Sequence, residues 1–198
     1  MPIPSYEAVK KVISMNPRSL LDVGSGSGKH AALFREAGID VTTLDINGEA
    51  DITVQDFARE RPMGKGSKYQ CVWASHVLEH HPNTREFLEA VQAFCSPGGI
   101  IAITVPPRKD SLVGGHVNLF TPLSLVYNMI LSGIDCSKAS ILVYGYNISV
   151  IVRNNKADLS NIDLHFDRGD IEKLAEFFPV PVKQNTDGFK YMEVNWKC

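Results

Sequence analysis

Residues 19–38 hold the feature that most limits the folds open to this chain. Ser19-Leu20-Leu21-Asp22-Val23 is an apolar run of strand character. Gly24-Ser25-Gly26-Ser27-Gly28 follows, with glycine at alternate positions, and residues 31–37 read as a helix stopped by Gly38. Strand, glycine turn and helix open a βαβ unit, so an α/β sheet is expected, with its ligand at the strand's carboxyl end. Glycine lets the backbone turn tightly and approach that ligand, whose polar groups are expected to meet unpaired N–H groups at the helix start.

The loop also limits the ligand. A P-loop requires glycine, four residues, then Gly-Lys-Ser/Thr. Val23 stands five residues before Gly28, and His30 follows Lys29, so the P-loop is excluded. Against the dinucleotide pattern Gly-x-Gly-x-x-Gly, the third glycine comes one residue early and an acid, Asp22, precedes the first. A carboxylate at the strand tip repels a pyrophosphate and suits a ligand carrying an ammonium or sulfonium. Asp-x-Gly-x-Gly-x-Gly resembles the first motif of class I S-adenosylmethionine (SAM) methyltransferases. The resemblance implies a Rossmann-like α/β fold: a seven-stranded, mostly parallel sheet with an antiparallel hairpin of strands 6 and 7 and helices on both faces.

Later segments extend the resemblance. Residues 40–45 form a β-branched run ending in Asp45, placed to accept the two hydroxyl protons of a ribose, with Ile46 on the adenine face. After a short third strand, Asp56 and Phe57 occupy the family position that reads the adenine edge. Strand four, 69–75, ends at Ser75 and leads into His76-Val77-Leu78-Glu79-His80-His81-Pro82, whose Leu-Glu-His resembles the segment after strand four in many small-molecule SAM enzymes. Asn83 is expected to cap a helix, Ser96-Pro97-Gly98-Gly99 to turn into strand five at 100–105, and Thr121-Pro122 to start another helix. Residues 108–115 read as a mobile loop. Strands at 137–144 and 148–153, joined at Gly145-Tyr146-Asn147, form the expected hairpin. Ser5 is expected to cap a first helix ending near Met15. The tail suggests a helix capped at 167–170 and a last strand within 189–196. The domain reading is therefore a SAM-dependent methyltransferase core at 1–153 and a C-terminal extension at 154–198 packed on the same domain.

Bulk properties agree with one ordinary globular domain. The chain has 198 residues, 44% of them hydrophobic, and a net charge of -2, which gives no electrostatic footprint for nucleic acid. Cys71, Cys95, Cys136 and Cys198 form no Cys-x-x-Cys, which suggests reduced thiols and a cytoplasmic protein. The start carries no signal-peptide pattern, and the longest apolar region, 141–152, is too short and too polar to cross a bilayer.

The expected function is methyl transfer from SAM, leaving S-adenosylhomocysteine (SAH). The acceptor is expected to be a small molecule or, from the segments 115–122 and 144–153, a sugar or glycan, methylated at oxygen. The cofactor residues are Asp22, Gly24, Ser25, Gly26, Asp45, Ile46, Asp56, Phe57 and Ser75. His80 and His116 are the candidate bases or substrate contacts, since an alcohol must lose its proton during transfer. No metal belongs to this reading. A less favoured alternative places a divalent ion among His76, Glu79, His80 and His116. There the chain resembles the Glu-x-x-Glu-His group of small-RNA and ubiquinone-pathway O-methyltransferases but has His76 in place of the first Glu. The further alternatives are a metal-assisted 2′-O-methyltransferase of RNA ends, an inactive methyltransferase-like binding subunit and a NAD-dependent oxidoreductase. DNA amino-methylating and cytosine-C5 enzymes lack support: the segment after strand four has no Asp/Asn-Pro-Pro-aromatic, and Cys71 lies inside the strand.

Overall fold

A computed structural model describes residues 3–60, 68–167 and 169–197. Residues 1–2, 61–67, 168 and 198 lie outside the described residues. One sheet holds strands β1 (Ser19–Val23), β2 (Asp40–Asp45), β3 (Ile52–Thr53), β4 (Tyr69–Ser75), β5 (Cys95–Val105), β6 (Ser140–Tyr144), β7 (Asn147–Arg153) and β8 (Glu193–Val194). Their order is β3-β2-β1-β4-β5-β7-β6-β8. The β3-to-β5 pairs are parallel, and β7 enters antiparallel beside β5 with β6 outside it. This is the expected seven-stranded sheet with its hairpin, extended by the short β8, which pairs antiparallel with β6.

Alternation along the central strands builds two apolar layers. Cys71 and Trp73 of β4 face the cluster that receives α1 (Tyr6–Ser14) and α2 (Lys29–Glu36). Val72 and Ala74 face the opposite cluster, with α3 (Phe57–Glu60), α4 (Thr84–Phe94) and α5 (Pro122–Leu131). Both helix starts read from sequence form: the Asn83 side chain accepts from Glu86 N, and Thr121 makes a reciprocal capping box with Ser124 behind Pro122. The tail contributes α6 (Asp170–Lys173), and Leu174 and Phe178 join the larger apolar cluster. Among the described residues no helix is long and apolar enough to cross a membrane.

Two local expectations need correction. Ser5 makes no cap hydrogen bond. It sits at φ 58 and turns its hydroxyl inward to Ser75 Oγ, 2.7 Å away, and Asn147 Oδ1, 3.2 Å away. Ser96-Pro97-Gly98-Gly99 does not precede β5 but lies inside it as a bulge. Tyr69 pairs with Cys95 while Cys71 pairs with Ile100, and a Cβ on Gly99 would stand 2.9 Å from Gln70 O. The loop after β5 is anchored at its two ends, where Arg108 N donates to Phe120 O, and Val117 N and Asn118 N both donate to Glu79 O.

Candidate functional site

β1 and β4 are neighbours whose chains continue to opposite sides of the sheet, so a crevice opens at their carboxyl ends. A cavity of about 510 Å³ lies there, lined by six of the expected cofactor residues: Gly24, Gly26, Asp45, Ile46, Asp56 and Phe57. Ser25 and Ser75 line a second cavity, of about 590 Å³, with Lys29, His30, Tyr146 and Asn147. Gly24, Gly26 and His76 line both, so the two cavities meet at the glycine loop and the end of β4. Asp22 lines neither and lies buried beneath the loop.

Within the glycine loop itself the amides are largely spent in the protein. Gly24 N and Ser25 N donate to Leu44 O, at 2.7 and 3.1 Å, Gly28 N donates to Ser25 O, and Gly26 N donates to Asp45 Oδ2 at 2.7 Å. What glycine supplies is room. Gly24 has φ +71, and a Cβ there would stand 2.1 Å from Val77 Cγ2, so the loop packs directly on the segment after β4.

Asp45 is fixed between two backbone donors, Gly26 N on Oδ2 and Asn47 N on Oδ1 at 3.0 Å. Each oxygen keeps a lone pair for a ligand hydroxyl. Ile46 is 62% exposed beside it, a free apolar face on the cavity wall. Asp56 is more engaged than its sequence position suggests. Its Oδ1 accepts from Ala58 N and Arg59 N, capping α3, and lies 3.4 Å from His81 Nε2. Phe57 is mostly a core residue, edge-on to Phe87 with ring centroids 5.6 Å apart.

Asp22 Oδ2 is buried without a hydrogen-bond partner. Burial, then the nearby Asp45 carboxylate, push its pKa up to about 7, against a smaller opposing pull from Arg35. Such a group lacks a cation. An orphaned acid under the loop, a carboxylate with lone pairs to spare and an open apolar wall fit SAM, with its sulfonium, ribose and adenine.

The other wall carries the histidines. His76 adopts φ 56 at the end of β4. Its Nε2 donates to Asn147 Oδ1 at 2.9 Å, an orientation fixed because the Asn147 amide donates to Tyr144 O. Its Nδ1 stands 3.4 Å from Glu79 Oε1. Burial opposes charge on His76, but Glu79 and Asn147 outweigh it and raise the pKa. Glu79 is fully buried, and neither oxygen completes a hydrogen bond. His80 Nδ1 donates to Gly115 O at 2.8 Å, which leaves Nε2 as the bare nitrogen of the neutral ring, 3.7 Å from Glu79 Oε1. The His116 ring lies edge-on to His80, 4.9 Å between centroids. The expected pair His80 and His116 is thus brought together with Glu79, while His76 is turned towards Asn147. Sequence reasoning missed Asn147, Ser5 and Gly115. Their contacts to His76, Asn147 and His80 span 71, 142 and 35 positions, and no spacing rule reaches so far.

Residues 7–129 match the family model described as a methyltransferase domain. Among curated relatives, the chain is 22% identical over 102 residues to the ubiquinone biosynthesis O-methyltransferase of Actinobacillus pleuropneumoniae serotype 7 (strain AP76), covering 42% of this chain and 44% of that one. It is 24% identical over 125 residues to the trans-aconitate 2-methyltransferase of Rhodopseudomonas palustris (strain BisA53), covering 55% and 46%. The chain therefore spans less than half the length of these relatives. Its fold is similar to the crystal structure of Burkholderia thailandensis 1,6-didemethyltoxoflavin-N1-methyltransferase with bound 1,6-didemethyltoxoflavin and SAH. The TM-score is 0.59, at 18% identity and 78% coverage of both chains.

Proposed function

The chain belongs to the methyltransferase-domain family, within the class I SAM-dependent methyltransferases, and from that premise we propose that it moves the methyl group of SAM to an oxygen of a small molecule, sugar or glycan. The observation that carries this reading is the junction of the two cavities, where the glycine loop and His76 are shared walls. SAM supplies an electrophilic methyl on sulfur, and transfer is an in-line displacement, so the protein's work is positioning. Asp45 receives the ribose hydroxyls, Ile46 lies on the adenine face, and Asp56 and the Phe57 backbone take its edge. Ser25, Gly26 and Ser75 border the methionine end, with the buried Asp22 carboxyl beneath. On the acceptor side, His80 and His116 stand with Glu79 where an alcohol must shed its proton. The bare Nε2 of His80 is a proton acceptor already set by its hydrogen bond to Gly115. An amine needs positioning more than a base, so this group favours oxygen.

Two measurements test the reading. Calorimetry with SAM is expected to show one site per chain, weakened at least about tenfold by Asp45→Ala. Transfer from SAM to a panel of hydroxylated small molecules, activated sugars and glycans, read by mass spectrometry, is expected to find an oxygen acceptor. His80→Ala should then lower kcat/KM by about 10²–10⁴-fold without weakening SAM. Absence of SAM binding, or full affinity in both Asp22→Ala and Asp45→Ala, would overturn it.

A further inference from the structure

We propose that Lys109, held in place by the ring of Tyr146, is the cation that recognises the methyl acceptor. The acceptor is then a hydroxylated compound bearing a phosphate or a carboxylate, such as a phosphorylated or acidic sugar. This rests on the methyl-transfer reading and names the acceptor class within it. The second cavity has no aspartate or glutamate in its lining among the described residues, and Lys29, at the start of α2, is the one lysine or arginine there. Lys29 stands on the glycine-loop side, beside the methionine end of SAM, which brings a carboxylate of its own. The acceptor's side is the wall built by His76, Tyr146 and Asn147.

That wall is fixed where Tyr146 leaves it. Asn147 is buried, its Oδ1 accepts from His76 Nε2 and from the Ser5 hydroxyl, and its amide donates to Tyr144 O. The Tyr146 ring lies within 23° of parallel to the His76 imidazole, with centroids 6.3 Å apart. Lys109 Nζ stands 4.2 Å from the centroid of the same ring. An ammonium over an aromatic face is held by the ring quadrupole, by about 0.5–1 kcal/mol at an exposed site. The contact steers a flexible side chain to the cavity wall and leaves its charge intact. The backbone helps, since Arg108 N, one residue earlier, donates to Phe120 O at 2.8 Å and fixes the point from which Lys109 departs.

Lys109 is also unspent. Its neighbour Asp110 is exposed, and among the described residues neither makes an ion pair. The ammonium therefore keeps its N–H donors for a ligand. Phosphate and carboxylate answer such donors with charge-assisted hydrogen bonds. The chain's net charge of -2 gives an anion no general attraction, so an anionic acceptor has to be drawn in by a local cation at the cavity. The anionic group is not the group methylated. Lys109 and Tyr146 belong to the loop after β5 and the β6–β7 turn, whereas the proton-accepting Nε2 belongs to His80 after β4. Hydroxyl and anion are thus read by different elements, which fixes the direction in which the acceptor enters.

The test titrates SAH alone into the full chain, then matched probes into the SAH-saturated protein, by calorimetry. The probes are methyl glucoside, glucose 1-phosphate and glucuronate, then glycerol, glycerol 3-phosphate and glycerate, so that phosphate and carboxylate are read apart. At least one anionic probe is expected to bind one per chain, about tenfold or more tighter than its neutral counterpart, the size of a hydrogen bond to a charged group. Lys109→Ala should abolish that preference and leave SAH affinity and melting temperature unchanged, since the side chain is exposed. Lys109→Arg and Tyr146→Phe should keep the preference, while Tyr146→Leu, which removes the ring, should cut it about two- to fivefold. A neutral probe bound as tightly as its anionic counterparts, no binding by any anionic probe, or a full preference in Lys109→Ala would overturn the proposal. If SAH binds while the preference is missing, only the acceptor class falls. If SAH does not bind, the methyl-transfer reading falls, and the same probes on the SAH-free chain decide whether Lys109 selects an anion.

Discussion

A second buried carboxylate near Asp45 has a cost that pH makes measurable. Unfolded, Asp22 ionises near its ordinary value of about 4; folded, it does so at about 7. Between those values the unfolded chain holds fewer protons than the folded one, so stability falls as pH rises through that window and levels off above it. Asp22→Asn removes this dependence. Its melting temperature is expected to match the wild type near about pH 4 and to exceed it at about pH 8, by a gain on the order of 1–4 kcal/mol. An equal shift at both pH values in a thermal melt would show that Asp22 does not titrate as described. The same variant should bind SAM less tightly, since the charge that destabilises the empty fold serves the cationic ligand. Gly24 gives a steric counterpart. Gly24→Ala sets a Cβ against Val77 Cγ2 at 2.1 Å and keeps a left-handed backbone. The variant is expected to lose about 2–4 kcal/mol of stability and most SAM affinity. Adding Val77→Ala should return the steric part but not the roughly 1–2 kcal/mol backbone part, a split that a urea-denaturation double-mutant cycle reads directly.

At the scale of elements, what could be read from sequence is what local chemistry decides. The glycine loop, the Asn83 and Thr121 caps and the hairpin at Gly145 each depend on residues within a few positions, and each forms where its pattern stands. The misreadings have the opposite cause. Ser5 has the right residue type for a cap, yet Ser75 and Asn147 offer its hydroxyl buried partners from distant strands. Ser96-Pro97-Gly98-Gly99 has turn composition, yet β4 pairs on both sides of it and absorbs it as a bulge. The candidate site divides the same way. The side proposed to hold the cofactor stands in motifs, while the hydrogen bonds that set His76 and His80 come from across the fold. The tail shows the same dependence on distant partners. Gly188 O accepts from Leu123 N, and a Cβ on Gly188 would meet Thr121 Oγ1 at 2.2 Å. Gly188→Ala is therefore expected to push on the α5 cap, costing about 1–3 kcal/mol, while leaving SAH affinity unchanged. Calorimetric melting alongside SAH titration checks both halves of that expectation.

For the whole molecule, the question is whether residues 154–197 are a separate module or part of one cooperative unit. We read them as part of the same unit. Leu174 and Phe178 lie in the apolar cluster that also contains β4, β5, α4 and α5. β8 pairs with β6, Val143 N donates to Met192 O, and Trp196 packs with the α1–α2 cluster on the opposite face. The tail thus touches both layers of the sheet, so it cannot detach without opening both. A single calorimetric transition is expected, with equal calorimetric and van't Hoff enthalpies. On the proposed reading SAH would sit in the crevice at the carboxyl ends of β1, β2 and β4, yet in a cooperative unit it must stabilise the tail as well. At about a hundred times its Kd, it should raise global stability by about 2.7 kcal/mol and the melting temperature by roughly 5–10 °C. Hydrogen exchange supplies the sharper version, because the Val143 amide reports on the tail's attachment far from the crevice. Its protection should rise on SAH binding by the same free energy as that of the central strands. If SAH left that amide unchanged while protecting β1 and β4, the tail would be opening on its own, and the core would end near Arg153.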